Sequence, residues 1–291
     1  MLALNHPLND ETTGSLKLGG DLRVRRLGFG AMRLTGRGIW GEPADLEGAG
    51  EVLVRAVRLG VNFIDTADSY GPDVSEQLIG ETLSPYPEGL VIATKGGLTR
   101  PGPGRWVPNG RPEHLRRACE GSLRRLRLER IDLYQLHRVD PNVPLEESLG
   151  ALADLRAEGK IRHVGLSNVD VTQLERAQKV LPIVTVQNRY NLTDRRSESM
   201  VDHCERHGLA FLPWAPIAAG DLAASGGLLD RIAERHRAST GQVALAWLLR
   251  RSPAMLPIPG TSSVEHLLEN LAAPLVPLTD GEVDELSRQG G

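Results

Sequence analysis

The sequence predicts an α/β fold, a single (β/α)8 TIM barrel with an N-terminal β-hairpin closing the bottom of the barrel. Three observations predict it: short apolar runs alternate with longer amphipathic segments, the alternation repeats eight times, and no linker or low-complexity stretch interrupts it. Nearly continuous apolar runs suit parallel strands that helices bury on both faces. Barrels of this kind typically run to about 250 residues, so the chain, residues 1–291, is read as one domain.

Ahead of the barrel, LKLGGDLRV (16–24) alternates across Gly19 and Gly20, the pattern of a hairpin. Eight strands are then expected, at RLGFG (26–30), VNFIDTA (61–67), LVIATK (90–95), DLYQLH (132–137), HVGLSN (163–168), VTVQN (184–188), AFLPWA (210–215) and LPIPG (256–260). Between them, DLEGAGEVLVRAVRLG, PEHLRRACEGSLRRLRL, PLEESLGALADLRAEGK, SESMVDHCERHG and TGQVALAWLLRR carry apolar residues at helical spacing and basic residues late, as an outer ring of helices requires. The stretch 96–111, GGLTRPGPGRWVPNGR, is rich in Gly and Pro and reads as a surface loop inside a βα unit.

Composition narrows the function classes. Hydrophobic residues at 40% and charged residues at 24% are ordinary globular values. A net charge of −3 and a pI near 6.3 offer no long-range attraction to nucleic acid or acidic lipid, so the expected partner is a small molecule. Cys119 and Cys204 lie far apart without CxxC spacing, which predicts neither a disulfide framework nor a metal site. The opening MLALNHPLNDETTG lacks the features of a signal peptide, and no later apolar run is long enough to span a bilayer. The expectation is a cytoplasmic chain, monomeric or weakly homo-oligomeric.

Barrel active sites form at the C-terminal ends of the strands, so polar residues ending apolar runs are the candidates. Strand two ends in Asp65 and runs on to Tyr70, strand three ends in Lys95, and strand four ends in His137. Singly, each has an ordinary structural explanation as a turn cap, a solvated lysine or a satisfied core histidine. On three consecutive strands they compose a proton-donating group. Reducing a carbonyl by hydride transfer leaves an alkoxide that must be protonated as it forms. Tyr70 would donate that proton; a phenol ordinarily titrates near pH ~10, and the ammonium of Lys95 would lower that value. Asp65 would hold Lys95 charged and fixed, and His137 would orient the carbonyl oxygen. No side chain donates a hydride, so the reading requires a cofactor.

The strongest single motif is GVNFIDTADSYGPDVSEQLIG (60–80); LVIATKGG, IDLYQLH, GKIRHVGLSN, VQNRYN, PWAPIAAGDL and IPGTSSVEHLLEN follow it in order. In these motifs the chain resembles the aldo-keto reductase superfamily from Leu27 to Asn270. The resemblance implies an enzyme that reduces an aldehyde or ketone with NADPH, NADH being the alternative, and gives Asp65, Tyr70, Lys95 and His137 the roles above. It implies a cofactor extended across the barrel mouth. Gly30, Ala31 and Met32, with Asp65, would lie at its nicotinamide end, and Ser167, Asn168 and Gln187 would grip the carboxamide. Trp214 would stack on the ring, and Ala215, Pro216, Ile217, Ala219, Gly220 and Leu222 would wrap the pyrophosphate. Gly260, Thr261, Ser262 and His266 would face the 2′-phosphate, and Glu269 and Asn270 the adenine.

One segment departs from the family pattern: many members carry lysine where this chain has Gly260 and arginine where it has His266. Thr261, Ser262, backbone amides and a protonated His266 remain to hold a phosphate at a helix start capped by Ser262 or Ser263. Trp40 and Trp106 are expected either to wall an apolar substrate pocket or to anchor loops. The short tail VPLTDGEVDELSRQGG predicts an open, permissive site. Two competing readings fit the same residues. A Schiff-base aldolase would use Lys95 as nucleophile, which needs a depressed lysine pKa that Asp65 opposes; a regulatory protein would bind the cofactor without turnover.

Overall fold

The computed structural model describes residues 6–217 and 227–289. The first element pair is an antiparallel hairpin, β1 (Ser15–Leu18) and β2 (Leu22–Arg25). The strands β3 (Phe29–Gly30), β4 (Phe63–Asp65), β5 (Val91–Gly96), β8 (Ile131–Leu136), β9 (Ile161–Ser167), β10 (Ile183–Arg189) and β11 (Ala210–Trp214) form one sheet, with β6 (Leu98–Gly102) and β7 (Arg105–Pro108) inserted after β5. Among the described residues that sheet has seven strands in the order β11-β10-β9-β8-β5-β4-β3, every neighbouring pair parallel. Helices such as Leu46–Arg58, Val74–Leu83, Pro112–Leu126 and Leu145–Ala157 return the chain between strands.

Two expectations require correction. LPIPG is not a strand, because Pro257 and Pro259 have no N–H to donate to a ladder. The stretch nevertheless bonds to both edges of the sheet: Leu256 N donates to Phe211 O (2.9 Å), Gly28 N to Pro257 O (2.9 Å) and Gly30 N to Pro259 O (3.3 Å). Residues 96–111 are not a plain loop, since β6 and β7 pair antiparallel across a register shift. The Gly and Pro residues there form the turn and break the ladder without abolishing it.

The sheet's two-residue period sorts the side chains. Ile64, Ile92 and Phe29 pack outward with helix residues such as Val52, Leu53 and Ile79. Phe63, Ala93, Leu133, Leu212 and Ile258 share an inner cluster with Leu18, Leu22 and Val24 of the hairpin. The hairpin turn lies against the start of β9: Asp21 Oδ1 meets His163 Nε2 at 2.6 Å, and a Cβ at Gly19 (φ +59°) would fall 2.1 Å from the His163 ring. One step further along each strand, the inner positions turn polar. Asp65 follows Phe63, Lys95 follows Ala93, Gln135 follows Leu133 and Gln187 follows Thr185, all at most 2% exposed.

Both cysteines are buried, which pushes each thiol up to about 12. Neither supplies a thiolate at neutral pH. No helix among the described residues is long and apolar enough to cross a membrane.

Near the C-terminus, Glu282 accepts from Thr279 N (2.9 Å), Arg235 Nη1 (2.6 Å) and His236 Nε2 (3.0 Å). Burial pushes this carboxyl up, but those donors outweigh it and hold it at about 2 against an ordinary 4.5. The folded value lies below the unfolded one, so the stabilisation is present above pH 4.5 and is lost as pH falls towards 2. Glu282→Gln should therefore cost about 1 kcal/mol at pH 7 in urea unfolding, because solvent screens the exposed Arg235 end of the pair, and flatten the acid side of the stability curve.

Candidate active site

The polar layer at the strand ends centres on Asp65. Lys95 Nζ donates to Asp65 Oδ2 at 2.6 Å and to Thr66 O at 2.9 Å. The other carboxylate oxygen accepts from Gln135 Nε2 (2.9 Å) and Gln187 Nε2 (2.8 Å). The segment after β4 then folds back over the pair: Thr66 N donates to Ala93 O (2.8 Å), Asp68 N to Lys95 O (3.2 Å) and Tyr70 N to Ala67 O (3.2 Å). This carries Tyr70 Oη to 3.3 Å from Lys95 Nζ. His137 completes the group with its ring edge-on to that of Tyr70, centroids 5.8 Å apart. The structure thus brings all four sequence-predicted catalytic candidates together.

Burial pulls the Lys95 ammonium down, but Asp65 and Tyr70 together override it, and the net shift is upward. Lys95 is therefore held charged, which disfavours the free amine that Schiff-base chemistry requires. Burial also drives the Tyr70 phenol up from its ordinary value, with Lys95 pulling the other way. The net direction is opposite to the sequence expectation, because desolvation of a phenolate exceeds the attraction of a lysine already paired to Asp65. His137 is pushed well below the ordinary histidine range, first by burial and then by Lys95. Its imidazole is neutral at pH 7. Ser69 Oγ lies 3.2 Å from Nδ1; when Ser69 donates there, Nε2 carries the proton and serves as a donor.

Around this centre lie the residues expected to hold a cofactor. Ala31 is fully buried and Met32 partly so. Ser167 is 1% exposed, and Asn168, at φ 58°, donates to His137 O (3.1 Å) and accepts from Trp214 Nε1 (3.1 Å). Gln187 spends its amide nitrogen on Asp65 and Gln135. Asn191 Nδ2 holds Ala215 O at 2.9 Å, and Pro216 and Ile217 follow, whereas Ala219, Gly220 and Leu222 lie outside the described residues.

At the far end, Ser263 and not Ser262 caps the helix Val264–Leu271, accepting from His266 N. Thr261 Oγ1 accepts from Ser263 N (3.0 Å), and Ser262 and His266 are exposed. Glu269 accepts from Ser239 Oγ, and Asn270 is buried. Gly260 has a steric explanation: a Cβ there would fall 2.3 Å from Gly30 O, so a lysine at 260 would force the two backbones apart.

Trp40 and Trp106 stand at the mouth with Arg100 between them, its guanidinium carbon 3.6 Å from the Trp106 ring centroid and 5.5 Å from that of Trp40. Trp106 is 6.3 Å from Tyr70 and 6.4 Å from His137, ring to ring. Sequence reasoning missed Ser69, Gln135 and Arg100. Gln135 was within reach, since it sits two residues before His137 and shares its face. Nothing in the sequence marks Arg100. Among the described residues, no group of three or more His, Cys, Asp or Glu is placed to hold a metal ion.

A buried acid–base layer at the carboxyl ends of parallel strands is where barrel enzymes keep their chemistry, and it places the molecule in that class. The chain belongs to the Aldo/keto reductase family of oxidoreductases, whose sequence profile it matches over residues 26–289. It is 49% identical over 288 residues to an uncharacterised oxidoreductase of Schizosaccharomyces pombe, covering 99% of this chain and 94% of that one. It is 43% identical over 279 residues to the pyridoxine 4-dehydrogenase of Escherichia coli, covering 93% and 97% respectively. The aldo-keto reductase of Klebsiella pneumoniae solved in complex with NADPH superposes with a TM-score of 0.80 at 28% identity, over 94% of each chain.

Proposed function

We propose that the protein is an NADPH-dependent carbonyl reductase acting on aldehydes or ketones. The observation that carries the reading is Lys95, held by Asp65 at 2.6 Å and presented to Tyr70 Oη at 3.3 Å beneath a neutral His137. Tyr70 Oη gives its proton to the carbonyl oxygen, and Lys95 steadies the phenolate left behind. His137 donates to the same oxygen and fixes its direction. Asp65 and its two glutamine partners hold Lys95 where it is needed.

The residues fit a nicotinamide cofactor. Ser167, Asn168 and the amide oxygen of Gln187 are polar groups at the strand ends, and the indole of Trp214 is anchored by Asn168. The start of the helix Val264–Leu271 suits a phosphate, since the helix dipole favours an anion there. When bound, the nicotinamide supplies the hydride. Around this site, residues 254–260 serve as the eighth stave of the barrel and the β1–β2 hairpin as its floor.

Initial rates with aldehydes, ketones and sugar-derived carbonyls, with NADPH and with NADH, test this reading. Pyridoxal belongs in the panel, because the E. coli relative is named a pyridoxine 4-dehydrogenase. Steady NADPH oxidation with alcohol formation is expected; tight NADPH binding without turnover on any carbonyl would overturn it. At the phosphate end, His266→Ala should weaken NADPH by roughly fivefold relative to NADH, the scale of an exposed charge contact. Equal losses with both cofactors would place the selectivity elsewhere.

A further inference from the structure

The mouth of the site holds a cation with no counter-charge. Arg116, Arg125, Arg176 and Arg251 each meet a carboxylate, whereas Arg26 and Arg195 donate to backbone carbonyls far from the catalytic group. Arg100, among the described residues, meets none. Its Nε donates to Arg105 O (3.1 Å), and its Nη1 donates to Ile39 O (3.0 Å) and Ser69 O (2.9 Å). These are backbone carbonyls, which carry no charge. The side chain is half-buried, and its Nη2 lies buried with no hydrogen-bond partner among the described residues. Burial lowers the Arg100 pKa, and no neighbouring carboxylate offsets the shift.

The surroundings say where a partner would come from. The guanidinium lies flat on Trp106, whose indole faces Tyr70 and His137. It also grips the backbone of Ser69, the residue that bonds His137. A substrate with its carbonyl at Tyr70 and His137 would have Trp106 beside it and the guanidinium stacked on that ring within reach of its far end. A buried donor left unbonded carries a desolvation cost that an acceptor relieves, and guanidinium recognises carboxylate and phosphate oxygens most strongly.

We infer that Arg100 is a specificity residue of this pocket, selecting carbonyl substrates that carry an anionic oxygen group, a carboxylate or a phosphate, away from the reacting carbon. The inference rests on the reductase reading above and adds to it the class of substrate. It replaces the expectation of an indiscriminate apolar pocket with one that has a charged end.

Matched substrate pairs test it. The carboxylate arm compares 4-carboxybenzaldehyde with its methyl ester; the phosphate arm compares glyceraldehyde 3-phosphate with glyceraldehyde. Wild-type kcat/KM should favour the charged member of at least one pair by about tenfold or more, the scale of a charge-assisted hydrogen bond. The arm with the larger ratio identifies the anion. In Arg100→Met that ratio should collapse to about one, chiefly through KM, and Arg100→Lys should retain much of it. Arg100→Gln, which keeps donors for Ile39 and Ser69, reads the same ratio if the Met variant does not fold.

A residue that only clamps the β6–β7 hairpin would lower both members of a pair together, and an unchanged ratio in these variants overturns the inference. So does a wild-type ratio near one in both arms while NADPH is still consumed. If no member of either pair consumes NADPH, the reductase reading falls and this inference falls with it.

Discussion

Tyr70→Phe is expected to lower kcat for carbonyl reduction by about a thousandfold while NADPH binds within about twofold of its wild-type affinity. The substitution removes one atom, Oη, and keeps the ring that packs edge-on against Trp106 and His137. The Lys95–Asp65 pair, with its bonds to Thr66, Gln135 and Gln187, stays in place. The loss then falls on the proton and not on the architecture. Pre-steady-state turnover and an equilibrium NADPH titration on the same preparation separate the two; an unchanged kcat would move the proton donor to another residue.

The electrostatics add a pH signature. Burial raises the Tyr70 phenol, so it is fully protonated through neutral pH, and reduction should decline only as the solution becomes strongly alkaline. His137 is pushed far enough down to be neutral throughout that range, so no inflection near pH 6.5 is expected from it.

Arg125→Ala is expected to destabilise the protein by about 3–5 kcal/mol, the cost of leaving a buried carboxylate unpaired. Glu76 is fully buried, accepting from Arg125 Nε at 2.7 Å and from Thr94 Oγ1. Burial pushes its carboxyl up, and Arg125 is the foremost group pulling it back. The pair joins the helix Val74–Leu83 to the helix Pro112–Leu126. It also supports the active-site turn, because the neighbouring Ser75 bonds Tyr70 O through its amide (3.1 Å) and Thr66 through its hydroxyl (2.8 Å). The double variant Glu76→Gln/Arg125→Met should recover part of the loss in urea unfolding at pH 7, since it removes both charges. A single variant as stable as wild type would mean that Glu76 is protonated or hydrated in the native protein.

What the sequence made legible follows from what each signal is. The helices and the parallel strands were readable from apolar period, and the four catalytic candidates from polar residues that interrupt that period at strand ends. LPIPG has the composition of a strand, but its missing donors, a matter of backbone chemistry, exclude it from the ladder. In 96–111 the density of Gly and Pro hid the pairing of β6 with β7. The direction of the Tyr70 shift was not readable, because it depends on how much water the folded site excludes. Arg100 was invisible for related reasons: Ile39 and Ser69 reach it only through tertiary packing, and Trp106 only through the β6–β7 pairing that the Gly and Pro residues hid. Gly260 looked like a lost cofactor contact and proves to be where the backbone closes on Gly30.

In the proposed reaction Tyr70, supported by Asp65, Lys95 and His137, protonates a carbonyl oxygen whose carbon takes a hydride from a bound nicotinamide. The most direct measurement uses NADPH carrying deuterium at C4, in separate preparations for each face, with a reducible aldehyde. One deuterium at the carbinol carbon of the alcohol is expected from one face and none from the other. Consumption of aldehyde with no deuterium in the product from either, or a borohydride-trapped adduct on Lys95, would contradict the proposed reaction.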